Sequence, residues 1–271
     1  MEEYKQVFLK QSADIGALFF KDKLFLKDGR PTPYFYNTGA FAEKASYRWD
    51  LAKAYAGMIV DIINKGTNID IIFGPSYKAS LIAGDTTLAL LHEYGINLGC
   101  CYDRKEEKTH GEASGTESRL VGAKLFDGCN IYIVDDVATS MTTKRDSIET
   151  ITLESQIPGI KTQVAGIGVG VDREQVGPVY DSEMPSGLDK KAQANWKREH
   201  IVLGARGEDA IGDFVKETNI PVTSILGITE AVNHLYESQY PLLINNKKQP
   251  MDEVAYNIFN EYMEVYGVER E

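Results

Sequence analysis

The sequence predicts an α/β protein built on a doubly wound, mostly parallel sheet flanked by helices. Two observations carry this: short apolar, β-branched runs recur along the chain, and segments of helical period separate them. Composition is the third, since 271 residues that are 43% apolar and 25% charged can bury a full core and are neither disordered nor collagen-like.

Taken in order, the first segment reads as a helix. Residues 23–39, KLFLKDGRPTPYFYNTG, mix aromatic residues with Gly and Pro, which predicts short strands around a turn. Tyr47, Leu51, Tyr55, Met58, Ile59 and Ile62 then repeat at helical spacing until Gly66 closes the helix. From there strands and helices alternate. Residues 69–74 (IDIIFG) read as a buried strand, 79–94 as a helix, 96–102 (INLGCCY) and 129–136 (CNIYIVDD) as strands. A helix is predicted from near Met141, a strand over 162–172 (TQVAGIGVGVD) and a last one over 220–227 (IPVTSILG). In the tail from about residue 240, Val254, Ile258, Tyr262 and Val265 recur at helical spacing, which predicts a C-terminal helical extension packed on the body or on a partner subunit. Residues 177–210 are polar and insert-like. The whole is expected to form one domain, with residues 1–42 as a small amino-terminal hood.

Charge and cysteine usage narrow the class. A formal net charge of −11 argues against nucleic acid as a partner. The first residues are mixed and charged, and no stretch reaches ~18 uninterrupted apolar residues, so neither export nor membrane insertion is expected. Cys100, Cys101 and Cys129 have no metal or disulfide spacing and read as reduced core residues of a cytoplasmic protein. His92, His200 and His234 are scattered without ligand spacing. The glycines of GIGVGVD lie inside a strand with no following helix, so they read as close packing and not as a dinucleotide loop.

In doubly wound sheets ligands bind beyond the carboxyl ends of the strands, so the strand-to-helix loops hold the candidate chemistry. Residues 74–80, GPSYKAS, contain a Gly-Pro turn and Lys78; residues 103–119, DRKEEKTHGEASGTESR, carry Arg104, Lys105, Lys108 and His110. In IYIVDDVATSMTT the acids Asp135 and Asp136 end an apolar run and hydroxyl residues follow. Backbone N–H groups and hydroxyls at a helix N-terminus suit a phosphate monoester. Carboxylates cannot hold a phosphate, but they accept hydrogen bonds from sugar hydroxyls or help hold a divalent cation. The loop therefore fits a ribose 5-phosphate; the plainer alternative is two solvated acids followed by a Ser/Thr cap.

Read together, these segments resemble the type I phosphoribosyltransferases, and within them the branch that acts on orotate. FLKDGRPTPYFYNTG resembles that branch's amino-terminal base-binding segment, FGPSYKAS its pyrophosphate loop, DRKEEKTHGE its mobile loop, IVDDVATSMTT its phosphoribosyl pyrophosphate (PRPP) signature and GVDREQ its late base-contacting strand end, all in the family's order. The resemblance implies the type I phosphoribosyltransferase fold, transfer of phosphoribosyl from PRPP to orotate, a requirement for Mg²⁺ bound mainly through PRPP with no protein ligand assigned, and a homodimer sharing the mobile loop. It implies Lys105, His110 and Asp136 as catalytic residues. PRPP is expected at Lys27, Tyr77, Lys78, Arg104, Lys105, Lys108, His110 and the run Asp135, Asp136, Val137, Ala138, Thr139, Ser140, Met141, Thr142 and Thr143. Phe35 and Tyr36 are expected to flank the orotate ring, with Thr139 and Arg173 completing that site, Arg173 on the carboxylate.

Departures are as informative. Met141 stands where the family loop has Gly, and is expected to be strained if the backbone there needs a positive φ. The insert-like stretch and the tail exceed the family's usual length and supply no recognisable catalytic residue. A transferase for another base would need neither Arg173 nor the 25–39 segment, and a PRPP-sensing regulator could dispense with the basic loop. At this length a fused decarboxylase barrel of ~250 residues is not expected.

Overall fold

The structure, a computed structural model, describes residues 1–104, 118–138, 141–156 and 158–270. Helix α1 (Glu3–Asp14) leads into strands β1 (Leu18–Phe25) and β2 (Pro31–Tyr36), a 3-10 turn at Thr38–Glu43, and helix α2 (Ala45–Asn64). Next come β3 (Ile71–Phe73), α3 (Lys78–Tyr94), β4 (Gly99–Asp103), β5 (Leu120–Gly122), β6 (Cys129–Ala138), α4 (Thr142–Gln156) and β7 (Thr162–Asp172). The chain finishes with α5 (Lys190–His200), α6 (Ala210–Thr218), β8 (Val222–Gly227), α7 (Ile228–Glu237), β9 (Leu242–Ile244), β10 (Lys247–Gln249) and α8 (Glu253–Tyr266).

The main sheet has six strands in the order β5-β4-β3-β6-β7-β8, parallel throughout except for the β4–β5 edge pair. Its centre is apolar on both faces because helices cover both. Ile72, Tyr132, Val134 and Val171 face the cluster built with α1, α2, α3 and α7, whereas Ile71, Phe73, Ile131, Ile133 and Val169 face the cluster that includes Ile151 of α4 and Phe214 of α6. The glycines of β7 have the packing role read from the sequence. A Cβ at Gly166 or Gly168 would come within 2.8 Å of the Tyr132 ring, and one at Gly168 within 2.6 Å of Met58 Cε, so the ring lies flat across a strand stripped of side chains.

A second, four-stranded sheet in the order β10-β9-β1-β2 forms the hood. Here the tail departs from expectation. It is not helical throughout: β9 pairs parallel with β1 (Phe19↔Leu243) and β10 returns on it through Asn245 and Asn246, both at positive φ (48° and 65°), a turn that asparagine tolerates. Only then does α8 form, packing Phe259 against Phe20 and Tyr34 with ring centroids 6.2 and 5.7 Å apart. The β9–β10 hairpin was hidden because two three-residue strands carry no readable alternation.

The insert-like stretch holds α5, which has no fully buried residue, yet it is seated. Tyr180 donates its hydroxyl to Asp28 O at 2.9 Å, and a Cβ on Gly29 (φ +94°) would lie 2.5 Å from Lys197 O, so this segment backs the hood turn that bears Lys27. The strand predicted over 96–102 begins three residues later, at Gly99, and edge strand β5 was not foreseen. Among the described residues no helix is long and apolar enough to cross a membrane.

Candidate active site at the carboxyl ends of the strands

Register brings the predicted loops together. Phe73 of β3 pairs with Cys101 of β4 and Ile133 of β6, and Ala138 of β6 pairs with Asp172 of β7, so Gly74, Asp103, Asp135, Asp136 and Arg173 emerge along one sheet edge. Gly74 opens the first loop because nothing larger fits: a Cβ there would meet Ala79 O at 2.1 Å. Ser76 donates through its N–H to Asp103 Oδ1 at 2.5 Å and through its hydroxyl to Asp103 O, which fastens this loop to the next strand. Tyr77, 70% exposed, stands at its tip, following a cis peptide.

The two acids have different surroundings. Lys78 Nζ donates to Asp136 Oδ2 at 2.7 Å, and this pair is open to solvent, with side chains 55% and 25% exposed. Lys144 Nζ donates to Asp135 Oδ2 at 2.6 Å and to Val137 O at 2.9 Å, and that pair is buried, with side chains 5% and 12% exposed. Asp135 Oδ1 further accepts from Asp136 N at 2.8 Å, and Asp136 Oδ1 from Val137 N at 2.8 Å. From below, the Tyr55 hydroxyl donates to Asp135 O at 2.7 Å; burial holds that phenol well above its usual range, so it stays a neutral donor. Lys144 was missed in the sequence. The signal was present, because a lysine in the first turn of a helix opposes the dipole and needs a partner.

Met141 adopts φ 57°, the left-handed conformation its sequence position raised as a question, and its side chain is 2% exposed within the apolar cluster that also holds Ala138. For Ala138 and Met141 only the backbone can face a ligand. Thr142 and Thr143 are exposed at the N-terminus of α4. Lys105, Lys108, His110, Thr139 and Ser140 lie outside the described residues. The stems of the basic loop are described: Arg104 N donates to Arg119 O at 2.8 Å, and Ser118 Oγ and Arg119 N both donate to Glu154 of α4 at 2.7 Å. Lys27 is exposed in the hood turn.

The base-side residues divide. The pleat of β2 sends Phe35 and Tyr36 to opposite faces. Tyr36 is 3% exposed, shares a hydrogen bond with the Ser12 hydroxyl at 3.1 Å and packs on Phe8, so its side chain is core and does not flank a ligand with Phe35, contrary to the expectation. Phe35 is half-buried beneath the Arg173 guanidinium, 5.4 Å from its centroid. Among the described residues Arg173 Nε is buried without a hydrogen-bond partner, an arrangement that leaves it able to donate to an acceptor brought to the site. Among the described residues no group of three or more His, Cys, Asp or Glu is placed to hold a metal ion.

This edge offers a solvent-exposed ammonium–carboxylate pair, a helix N-terminus and, above an aromatic ring, a guanidinium whose buried Nε has no partner among the described residues. No family model matches the chain. Curated relatives do. An orotate phosphoribosyltransferase of Clostridium acetobutylicum is 31% identical over 99% of this chain and 100% of the relative, and one of Cellvibrio japonicus is 32% identical over 99% and 100%. One from Metarhizium anisopliae is 36% identical over 86% of this chain and 87% of its own. Among solved structures, the orotate phosphoribosyltransferase of Francisella tularensis superposes with a TM-score of 0.67 at 23% identity, covering 96% of this chain and 98% of that one, which shows the type I phosphoribosyltransferase fold. The first two relatives match this chain along nearly its whole length, and on that ground it belongs to the orotate phosphoribosyltransferase family.

Proposed function

We propose that the edge formed by Lys78, Asp136, the N-terminus of α4 and Arg173 carries the family's reaction, transfer of phosphoribosyl from PRPP to orotate. The C1–O bond to pyrophosphate breaks, the bond from C1 to orotate N1 forms as N1 loses its proton, and orotidine 5′-monophosphate and pyrophosphate leave. The anomeric carbon gains positive character while the leaving pyrophosphate gains negative charge, so the protein's work is positioning and electrostatic stabilisation.

The observation that carries the site assignment is the buried Arg173 Nε above Phe35, without a hydrogen-bond partner among the described residues. A planar anion seated on Phe35 would meet that guanidinium with its carboxylate, the group that distinguishes orotate from uracil. On the PRPP side, splitting the exposed Lys78–Asp136 pair gives Lys78 to the pyrophosphate and Asp136 to a ribose hydroxyl. Thr142 and Thr143, with Thr139 and Ser140, would cradle the 5′-phosphate at the start of α4. Lys27 would approach PRPP from the hood, and Arg104, Lys105, Lys108 and His110 would close over the leaving group and exclude water. Mg²⁺ fits as a companion of PRPP. Asp135 stays on the buried Lys144 and Asp136 would be turned to a ribose hydroxyl, so PRPP itself would supply most of the ion's ligands, and the ion would offset developing negative charge.

A homodimer is supported by α3, whose Leu81, Leu88 and Leu91 are 43%, 54% and 44% exposed at spacings that form one stripe beside the Tyr77–Lys78 loop. The thiols of Cys100, Cys101 and Cys129 are free, which fits a reducing compartment such as the cytoplasm.

The test is the orotate absorbance change with PRPP and Mg²⁺, repeated with Lys105→Ala, with Arg173→Ala, and with uracil or hypoxanthine as the base. Turnover that requires orotate and collapses in Lys105→Ala is expected. Equal turnover with uracil, or full activity in Arg173→Ala, would refute the base-site assignment.

A further inference from the structure

The turn that carries Arg173 is held by the chain's last residues. Glu174 sits at φ 52°, in the left-handed region, and its neighbours fix it there. Asp172 Oδ1 accepts from Glu174 N at 2.8 Å, Glu174 O accepts from Val268 N at 2.8 Å, and Glu174 Oε2 accepts from Thr229 N at 2.8 Å at the start of α7. Gln175 forms a β-bridge with Gly267 and donates to the Tyr34 hydroxyl at 2.7 Å. Val176 N donates to Tyr266 O at 2.9 Å. At the end of this strap Arg270 grips two acids, Asp209 through Nε and Nη2 at 2.6 Å each, and Asp172 through Nη1. Arg206 ties the strap down by donating to Gly267 O at 2.7 Å. Within the run 172–176, Arg173 alone carries a buried side-chain atom without a partner.

We propose that the strap 267–270, acting through Arg270, positions Arg173 for the carboxylate of the base, making Arg270 a residue that sets selectivity without touching substrate. The reason is competition between charges. Asp172 is Arg173's immediate neighbour in sequence, and its carboxylate, once released, would compete for that guanidinium. Arg270 occupies Asp172, while Gly267 and Val268 of the same strap hold the backbone of Gln175 and Glu174. Removing Arg270 frees Asp172 to take the place that the orotate carboxylate needs, while the Lys78–Asp136 side of the site is untouched. This rests on the reading of Arg173 as the carboxylate partner.

The experiment is steady-state kinetics with orotate and PRPP varied separately, on Arg270→Ala, Arg270→Lys, Arg270→Ala with Asp172→Asn, and Arg173→Ala, with thermal melts to confirm folding. Arg270→Ala is expected to raise KM for orotate roughly tenfold or more while KM for PRPP stays within about twofold. Arg270→Lys, which keeps the charge and loses the fork, should lie between, and adding Asp172→Asn to Arg270→Ala should lower KM for orotate again because the competing carboxylate is gone. Unchanged kinetics in Arg270→Ala, or a parallel rise of both KM values that Asp172→Asn does not reverse, would overturn the proposal while Arg173→Ala still weakened orotate. If Arg173→Ala left KM for orotate unchanged, the site reading and the strap would both fall. Should Arg270→Ala not fold, Arg270→Lys with and without Asp172→Asn decides by the same comparison.

Discussion

Lys144→Met is the sharpest perturbation of this site that can be scaled from the structure. The side chains of Lys144 and Asp135 are 5% and 12% exposed and joined at 2.6 Å, so solvent screening offers little relief when one is removed. Among the described residues, deleting the ammonium leaves a buried carboxylate with the hydrogen bond from Asp136 N, and removes the donor to Val137 O. Breaking a buried pair this way costs about 3–5 kcal/mol. With an unfolding entropy of ~2.1 cal/mol/K per residue, 271 residues give roughly 0.57 kcal/mol/K, so the melting temperature should fall by about 5–9 °C. The assay is calorimetric melting of Lys144→Met, Asp135→Asn and the double variant. Because the penalty arises from an uncompensated charge, the double variant should recover most of the loss, a coupling that only the cycle isolates. A drop below about 2 °C in Lys144→Met, or a double variant as unstable as the sum of the singles, would refute the reasoning.

Met141→Gly sets two effects against each other: relief of left-handed backbone strain, about 1–2 kcal/mol, against loss of a buried methionine side chain, about 2–5 kcal/mol. A net loss of about 1–3 kcal/mol is expected in denaturant titration, and a more stable variant would show that strain outweighs burial. Gly168→Ala should cost about 1–3 kcal/mol, since Met58 can swing aside but the Tyr132 ring is fully buried; an unmoved denaturation midpoint would contradict that. For the Arg270–Asp209 contact the sign follows from linkage. Burial is the largest single influence on the Asp209 carboxyl and pushes it up, but the hydrogen bond and charge of Arg270 together with the backbone N–H groups of Gly212 and Ile211 outweigh it and leave the carboxyl below its ordinary 3.8. A depressed folded value means stabilisation present above the unfolded value and lost as pH falls through the folded one. The melting-temperature gap between the native sequence and Arg270→Ala should therefore be full at neutral pH and shrink below about pH 4; a gap that widens on acidification would be inconsistent with it.

Legibility in the sequence followed length and period. The long strands β6 and β7 and the helices α2, α3 and α4 stood out because ten or more residues of consistent pattern outweigh local noise, and Gly66 and Gly95 mark helix ends at positive φ. Strands β5, β9 and β10, three residues each, did not, since pairing across the fold creates them and no local period announces them. Site residues followed the same division. Asp135, Asp136, Lys78 and Arg173 could be singled out because they stand at the ends of readable elements: the acids near the end of β6, Lys78 at the start of α3 and Arg173 just after β7. Lys144 and Arg270 were not, because each gains its meaning from a partner, Asp135 in one case and Asp172 with Asp209 in the other, that only the fold brings near. Tyr36 was misplaced because a pair of adjacent aromatic residues in a strand looks like one surface until the pleat sends them apart.

The two adjacent acids are a division of labour that the magnitudes explain. An exposed ion pair such as Lys78–Asp136 is worth about 0–1 kcal/mol, so a substrate bearing hydroxyls and phosphates can separate it at little cost and use both halves. The buried Lys144–Asp135 pair would leave a charge stranded at several times that cost, so it persists through the reaction cycle. Lys144 also holds Val137 O, and Tyr55 holds Asp135 O, so the persistent pair anchors the backbone from which Asp136 projects. One acid is therefore free to change partners because the other is not. The same logic governs the far end of the site. Asp172, next to the guanidinium proposed to meet a substrate carboxylate, is kept engaged by Arg270, and a loop crowded with complementary charges can stay open to its ligand only if its own acids are already satisfied.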